Sequence, residues 1–241
     1  MEWKNHSGEN DFEIGLKVEN WLLFGLYPEV LLIENHGERR SWLQELTSAY
    51  LYKDILALAN IQYPEKLRQL LKLLAFQVGN LVSIHEIASL LQINRDTVIH
   101  YIDLLEKAFV IFRLGGFSRK LRKEVTKMEK IYFYDMGIRN ALIENFSPLA
   151  LRNDTGALWE NFLLSERRKK REYQAIYANT YFWRTHSGAE IDYVEERDGQ
   201  LAGYEFKWKT GKARTPATWL ETYENASWSL INRDNFCDFI C

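Results

Sequence analysis

Asp192, Glu205 and Lys207 are the residues in this 241-residue chain whose types and spacing best suit chemistry. They sit in YFWRTHSGAEIDYVEERDGQLAGYEFKWK, Tyr181 to Lys209, which reads as three short strands. The first runs from Tyr181 to Thr185 into a turn at Ser187-Gly188. The second spans Ala189 to Val194, and a turn through Arg197-Asp198-Gly199 leads to the third, Leu201 to Trp208. Strand side chains alternate between faces, so Asp192 falls with Glu190 and Val194, while Glu205, Lys207 and Lys209 share a face of the next strand. Pairing of the two strands brings Asp192 to the Glu-Phe-Lys segment. Two carboxylates converging from adjacent strands suit a hard divalent cation bound through oxygen. A lysine beside them can steady a developing phosphate charge or position the attacking water.

Ile191-Asp192, a hairpin, then Glu205-Phe206-Lys207 resembles the PD-(D/E)XK nuclease superfamily. The resemblance implies that Asp192 and Glu205 bind magnesium and that Lys207 aids catalysis. A glutamate on the preceding helix often joins such a site, and TGALWENFLLSERRKK offers Glu160, ahead of Glu166. Ile191 stands where the superfamily motif has proline. An exposed hairpin with alternating charges is the plain structural reading of the same residues.

The rest of the composition is that of an ordinary globular protein, with 46% hydrophobic and 27% charged residues and a formal net charge of -2. That balance excludes a globally basic nucleic-acid binder, so any phosphate contact must come from a local patch. The two cysteines, Cys237 and Cys241, form neither a disulfide framework nor a zinc site, which points to a reducing compartment. No apolar run approaches the roughly 18 residues that span a bilayer, and the first residues lack a signal-peptide pattern. The expected location is cytoplasmic, with no membrane partner.

Three regions are expected: a helical segment over 1–60, a winged helix-turn-helix over 61–146, and an α/β domain with a small mixed sheet over 147–241 that holds the site. Residues 1 to about 20 are polar and carry no assigned role. Gly25 and Pro28 in WLLFGLYPEVLL predict a bend between two short helical pieces. A helix is expected from Glu38 to about Leu58, and another from Pro64 with the stripe Leu67, Leu70, Leu71, Leu74 and Val78, ending near Gly79. Ser83 and Glu86 form a capping-box pattern for a short helix, and Asn94 opens a second whose inner face is Val98, Tyr101, Ile102 and Leu105. The strands Ala108 to Leu114 and Lys130 to Tyr134 then supply a wing.

The outer face of the second helix carries Asp96, Asp103 and Glu106 against Arg95 and Lys107, which argues against deep insertion into a DNA groove. The wing loop differs, because Arg119, Lys120, Arg122, Lys123, Lys127 and Lys130 outnumber Glu124 and Glu129. Two readings of it are expected: a loop that follows a phosphate backbone, or a solvated loop packed on a partner domain. In the last region a helix runs from Thr155 to about Glu172, its basic end (Arg167 to Arg171) read as solvated. A helix from Thr215-Pro216-Ala217 and a final strand over Asp234 to Ile240 complete the chain.

In order, FGLYPEV, AYLYKDI, the helix-turn-helix, RKLRKEVTKMEKIYFYDMGIRNAL, GALWENFLLSE, FWRTHSGAEIDYV and YEFKWK are similar to the C-terminal half of a prokaryotic AAA-type ATPase family. There a winged helix and a nuclease-like domain of unassigned function follow the ATPase core. No G-x-x-x-x-G-K-[ST] segment occurs here, so this chain by itself holds no ATP site. Two functions are thereby expected. One is a nucleic-acid-associated module with a magnesium-dependent phosphodiesterase site. The other is a non-catalytic regulatory module that binds nucleic acid, an ATPase domain or another partner protein.

Overall fold

The computed structural model describes residues 11–49, 61, 63–118, 129–185, 187–209 and 216–241. Among them are ten α-helices and seven strands, and the strands form one mixed sheet, not a closed barrel, in the order β1-β3-β2-β4-β5-β6-β7. Its contacts divide into two compact units. One holds Asp11–Arg113 and Lys130–Asn153; the other holds Leu114–Glu129 and Asp154–Cys241. No described helix is long and apolar enough to cross a membrane.

The first unit begins with α1 (Asp11–Phe24), α2 (Pro28–Leu32) and α3 (His36–Leu46). The polar composition before residue 20 concealed α1, which buries Val18, Trp21, Leu22, Leu23 and Phe24. The expected bend between α1 and α2 is present, at Gly25 with φ +75°. The helix expected from Glu38 starts earlier, because Asn35 accepts from the Gly37 and Glu38 amides as an N-cap. Its projected second half, residues 50–60, lies outside the described residues.

Next, α4 (Pro64–Phe76) buries the predicted leucine stripe. β1 (Leu81–Val82) leads to α5 (Ile84–Leu91), where the Ser83 hydroxyl accepts from the Glu86 amide at 3.3 Å. Gln92, in the left-handed region at φ 54°, ends α5 and turns the chain into α6 (Arg95–Lys107), which buries Val98, Tyr101, Ile102 and Leu105 as its spacing predicts. β2 (Ile111–Gly116) and β3 (Glu129–Phe133) follow.

At the centre of this unit is α7 (Met136–Leu142), all of whose residues are buried. Its polar members explain how so short a helix organises longer ones. Arg139 donates to the Ala75 carbonyl at 2.8 Å, and Asn140 donates to the Leu22 and Leu23 carbonyls, both at 2.9 Å. These bonds satisfy carbonyls near the ends of α4 and α1 that helix geometry leaves without intrahelical donors. Asp135 caps α7 through the Ile138 amide and also accepts from the Leu26 amide. Gly137 is required by close packing, because a Cβ there would lie 2.2 Å from the Phe24 carbonyl oxygen.

The second unit packs α8 (Thr155–Tyr173) and α10 (Phe236–Ile240) with β4 (Asn179–Arg184), β5 (Glu190–Arg197), β6 (Gln200–Phe206) and β7 (Ala226–Ile231), and adds α9 (Ala217–Thr222). β4, β5 and β6 are successive antiparallel neighbours, and β7 runs parallel to β6. One cluster gathers Phe117, Trp183, Ile191, Val194, Leu201, Trp219 and Tyr223. Elsewhere in the unit, Tyr193, Tyr204 and Phe206 pack around Phe239. The strand expected over Asp234 to Ile240 is instead α10. Its apolar residues Phe236, Phe239 and Ile240 bury at helical spacing, and the last strand is β7.

Candidate functional site

The hairpin of β5 and β6 places both carboxylates. Its register pairs Tyr193 with Tyr204 and Val194 with Gly203, and Asp192 and Glu205 follow just beyond the last paired residues. Across the other edge of β5, Tyr181 pairs with Val194 and Trp183 with Ile191, so two steps on β4 match three on β5. This bulge at Asp192-Tyr193 breaks the strict alternation expected from sequence, and Ile191 and Val194 consequently join the same apolar cluster. A bulge re-aims side chains and ends regular pairing. Asp192 is what it re-aims: one carboxylate oxygen accepts the Phe206 amide at 2.8 Å, so a side chain takes a donor of β6 where the ladder opens.

Glu205 and Lys207 stand two residues apart, and the Lys207 ammonium lies 2.5 Å from a Glu205 carboxylate oxygen. Partial burial by itself disfavours the Lys207 charge. Contact with Glu205 and the fields of Asp192 and Glu160 outweigh it and hold the ammonium above the ordinary lysine range. Glu160, on α8, is thus near enough to act electrostatically on Lys207. Asp192, Glu205 and Lys207 lie at the open end of the hairpin, and the charges of Asp192 and Glu160 act on Lys207 there. Glu166 pairs with Lys169 at 2.5 Å on its own helix.

Oxygen donors of this type suit magnesium, which keeps several waters and is commonly held by one or two carboxylates. Asp192 and Glu205 are two carboxylates of this type. No group of three or more His, Cys, Asp or Glu among the described residues is placed to hold a metal ion.

Sequence reading missed the support behind the hairpin. Arg167 belongs to a helix end whose composition predicts solvation, yet it grips Glu195 of β5 through two bonds of 2.8 Å and donates to the Phe239 carbonyl at 2.8 Å. Tyr193 adds a hydroxyl bond to Glu195 at 3.0 Å, while Arg171 donates to the Ala178 carbonyl and the Tyr193 hydroxyl. Burial alone would raise the Glu195 carboxyl, but the Arg167 bonds and charge hold it below the usual carboxylate range. Burial and the adjacent Glu195 charge push the Tyr193 phenol upward. The available signal was parity: Glu195 and Tyr193 are two residues apart on one strand face.

Of the basic loop, Arg119, Lys120, Arg122, Lys123 and Lys127 lie outside the described residues. Lys130 does not belong with them, because it is buried on β3. On α6 the expected acidic face is partly neutralised. Arg113 of β2 lies 2.9 Å from Asp103 and 2.5 Å from Glu106. A groove of about 610 Å³ opens where α6 begins, lined by Lys66, His85, Ser89, Asn94, Arg95 and Thr97 among others, with no acid in its lining.

Residues 16–149 match the family described as a domain of unknown function, DUF8612. The chain belongs to that family. Residues 155–233 match a second one, domain of unknown function DUF4143. An uncharacterised protein of Mycobacterium tuberculosis is 30% identical over 192 residues, covering 78% of this chain and 42% of its own length. A counterpart in Mycobacterium bovis gives the same figures. An uncharacterised protein of Methanocaldococcus jannaschii is 26% identical over 172 residues, covering 69% of this chain and 37% of its own. The chain thus spans about two fifths of the length of these relatives. No solved structure matches it significantly.

Proposed function

We propose that the second unit is a PD-(D/E)XK-like phosphodiesterase module that uses magnesium on nucleic acid and works alongside an AAA-type ATPase. The observation that carries this reading is the presence of Asp192, Glu205 and Lys207 at a bulged hairpin end, with the charges of Asp192 and Glu160 acting on Lys207. Asp192 and Glu205 would hold the ion, whose contribution when bound is Lewis acidity toward the phosphate and a lowered pKa for water. The Phe206 amide fixes Asp192 in advance of any ligand. Lys207, kept protonated by its three acidic neighbours, stands ready to stabilise the charge that develops on a phosphoryl oxygen. Glu160 adds a carboxylate that can orient water. In this reading residues 61–146 form a winged helix, with α5 and α6 as its helix-turn-helix and β2 and β3 flanking the basic loop.

The test is cleavage of labelled single- and double-stranded DNA and RNA with magnesium or manganese. Asp192→Ala and Glu205→Ala are expected to abolish it. Lys207→Met, lacking one stabilising charge, is expected to lower it by about 10²- to 10³-fold. Cleavage unchanged in Asp192→Ala overturns the assignment.

A second reading, a binding module without turnover, is favoured by the Lys207 ammonium already occupying Glu205 and by the acid-free groove at α6. It predicts nucleic-acid binding that weakens steeply with salt and on Lys66→Glu, Arg95→Glu or Lys120→Glu, with no cleavage by the wild type. Binding indifferent to salt and to these reversals contradicts it.

A further inference from the structure

β7 ends the sheet, and its six residues, Ala226 to Ile231, contain no charge and no proline. Its pairing with β6 runs without a break in register from Leu201 with Ala226 to Phe206 with Ile231. An edge of this kind lacks the usual devices that prevent strand addition. The bonding pattern shows which groups it offers. Leu201 donates to the Asn225 carbonyl and Lys207 to the Ile231 carbonyl, so the odd-numbered residues direct their backbone groups toward β6. Ala226, Trp228 and Leu230 therefore direct theirs outward.

Two of those six outward groups are satisfied within the chain: the Ala226 amide donates to the Tyr223 carbonyl, and the Leu230 carbonyl accepts from the Asn235 side chain at 2.8 Å. The Ala226 carbonyl, both Trp228 groups and the Leu230 amide have no partner among the described residues.

We propose that this edge pairs antiparallel with β7 of a second copy of the chain, about a two-fold axis at Trp228. In that register the two Trp228 residues exchange both backbone bonds, as a hydrogen-bonded antiparallel pair does. Each Leu230 amide then meets the partner's Ala226 carbonyl. The register uses all four open groups and neither of the two already engaged. It also sets Ser227 opposite Ser229 of the partner subunit, two small exposed residues that neither clash nor repel. The open groups are themselves two-fold symmetric about Trp228, so a second copy presents the matching set in the isologous contact that closed dimers require.

Sedimentation of the full chain over a wide concentration range tests this. The wild type is expected to show a monomer–dimer equilibrium. S227K/S229K places like charges directly opposite each other in the dimer and is expected to be monomeric, whereas S227K/S229D places opposite charges there and is expected to restore association. Leu230→Pro removes one open amide at an edge position that tolerates proline and is expected to weaken the dimer. Circular dichroism checks that each variant is folded. A wild type monomeric at every concentration, or equal association by the two double variants, overturns the proposal. A monomer that instead captures extended peptides along this edge also overturns it in favour of peptide addition.

Discussion

Replacing Arg167 by Met tests how the β5–β6 hairpin is held from behind. The change removes two 2.8 Å bonds to Glu195, the bond to the Phe239 carbonyl and the stacking of the guanidinium 4.9 Å from the Phe239 ring. Glu195 is 7% exposed, so its carboxylate would stay buried with a weakened counter-charge. Breaking one partner of a buried pair costs about 3–5 kcal/mol. The lower end applies here, because Tyr193 still donates at 3.0 Å and Arg171 remains 3.9 Å away. The expected loss is therefore about 3 kcal/mol, read by urea unfolding.

The double variant Arg167→Met/Glu195→Met removes both charges and should lose much less than the sum of the single losses. The pH dependence has a definite sign. Glu195 titrates below its ordinary value when folded, so its stabilisation is present above the usual glutamate value of about 4.3 and fades as pH falls through the folded one. The deficit of Arg167→Met should accordingly shrink in acid. A loss under about 1 kcal/mol, or strict additivity in the double variant, would refute a supporting role for this pair.

Two further outcomes follow from other contacts. Gly137→Ala puts a Cβ 2.2 Å from the Phe24 carbonyl oxygen and 2.9 Å from Leu43, so α1 and α3 must move away from α7; thermal unfolding should register a loss of at least about 1–3 kcal/mol, and a neutral result contradicts the close packing. Glu205, Asp192 and Glu160 hold Lys207 above the ordinary lysine range, so its charge is present below about pH 10 and lost only above it. The pH–rate profile of cleavage should show no lysine titration between about pH 6 and 9, and a descending limb there that disappears in Lys207→Met refutes that environment.

Much of this arrangement was legible in the sequence because local rules govern it. The leucine stripe of α4, the Ser83 cap and the inner face of α6 follow from helical spacing and end chemistry, with little help from distant residues. The antiparallel pairing of β5 with β6 was legible because a two-residue turn at Asp198-Gly199 sets its register. What escaped depends on partners far along the chain. The bulge at Asp192 is defined by β4, Arg113 cancels acids of α6 from a different element, and Glu195 finds Arg167 only after α8 has docked. The terminal segment was misread because five residues, Phe236 to Ile240, are too short for period alone to separate helix from strand.

Manganese binding, followed by titration calorimetry on the wild type and on Asp192→Ala, Glu205→Ala and Lys207→Met, bears most directly on the proposed site. The account predicts saturable binding in the wild type and its loss in both carboxylate variants. In Lys207→Met binding is retained or tightened, because the cation competing for Glu205 is gone, while cleavage falls. Absence of saturable binding in the wild type, or equal binding in Asp192→Ala, would contradict it.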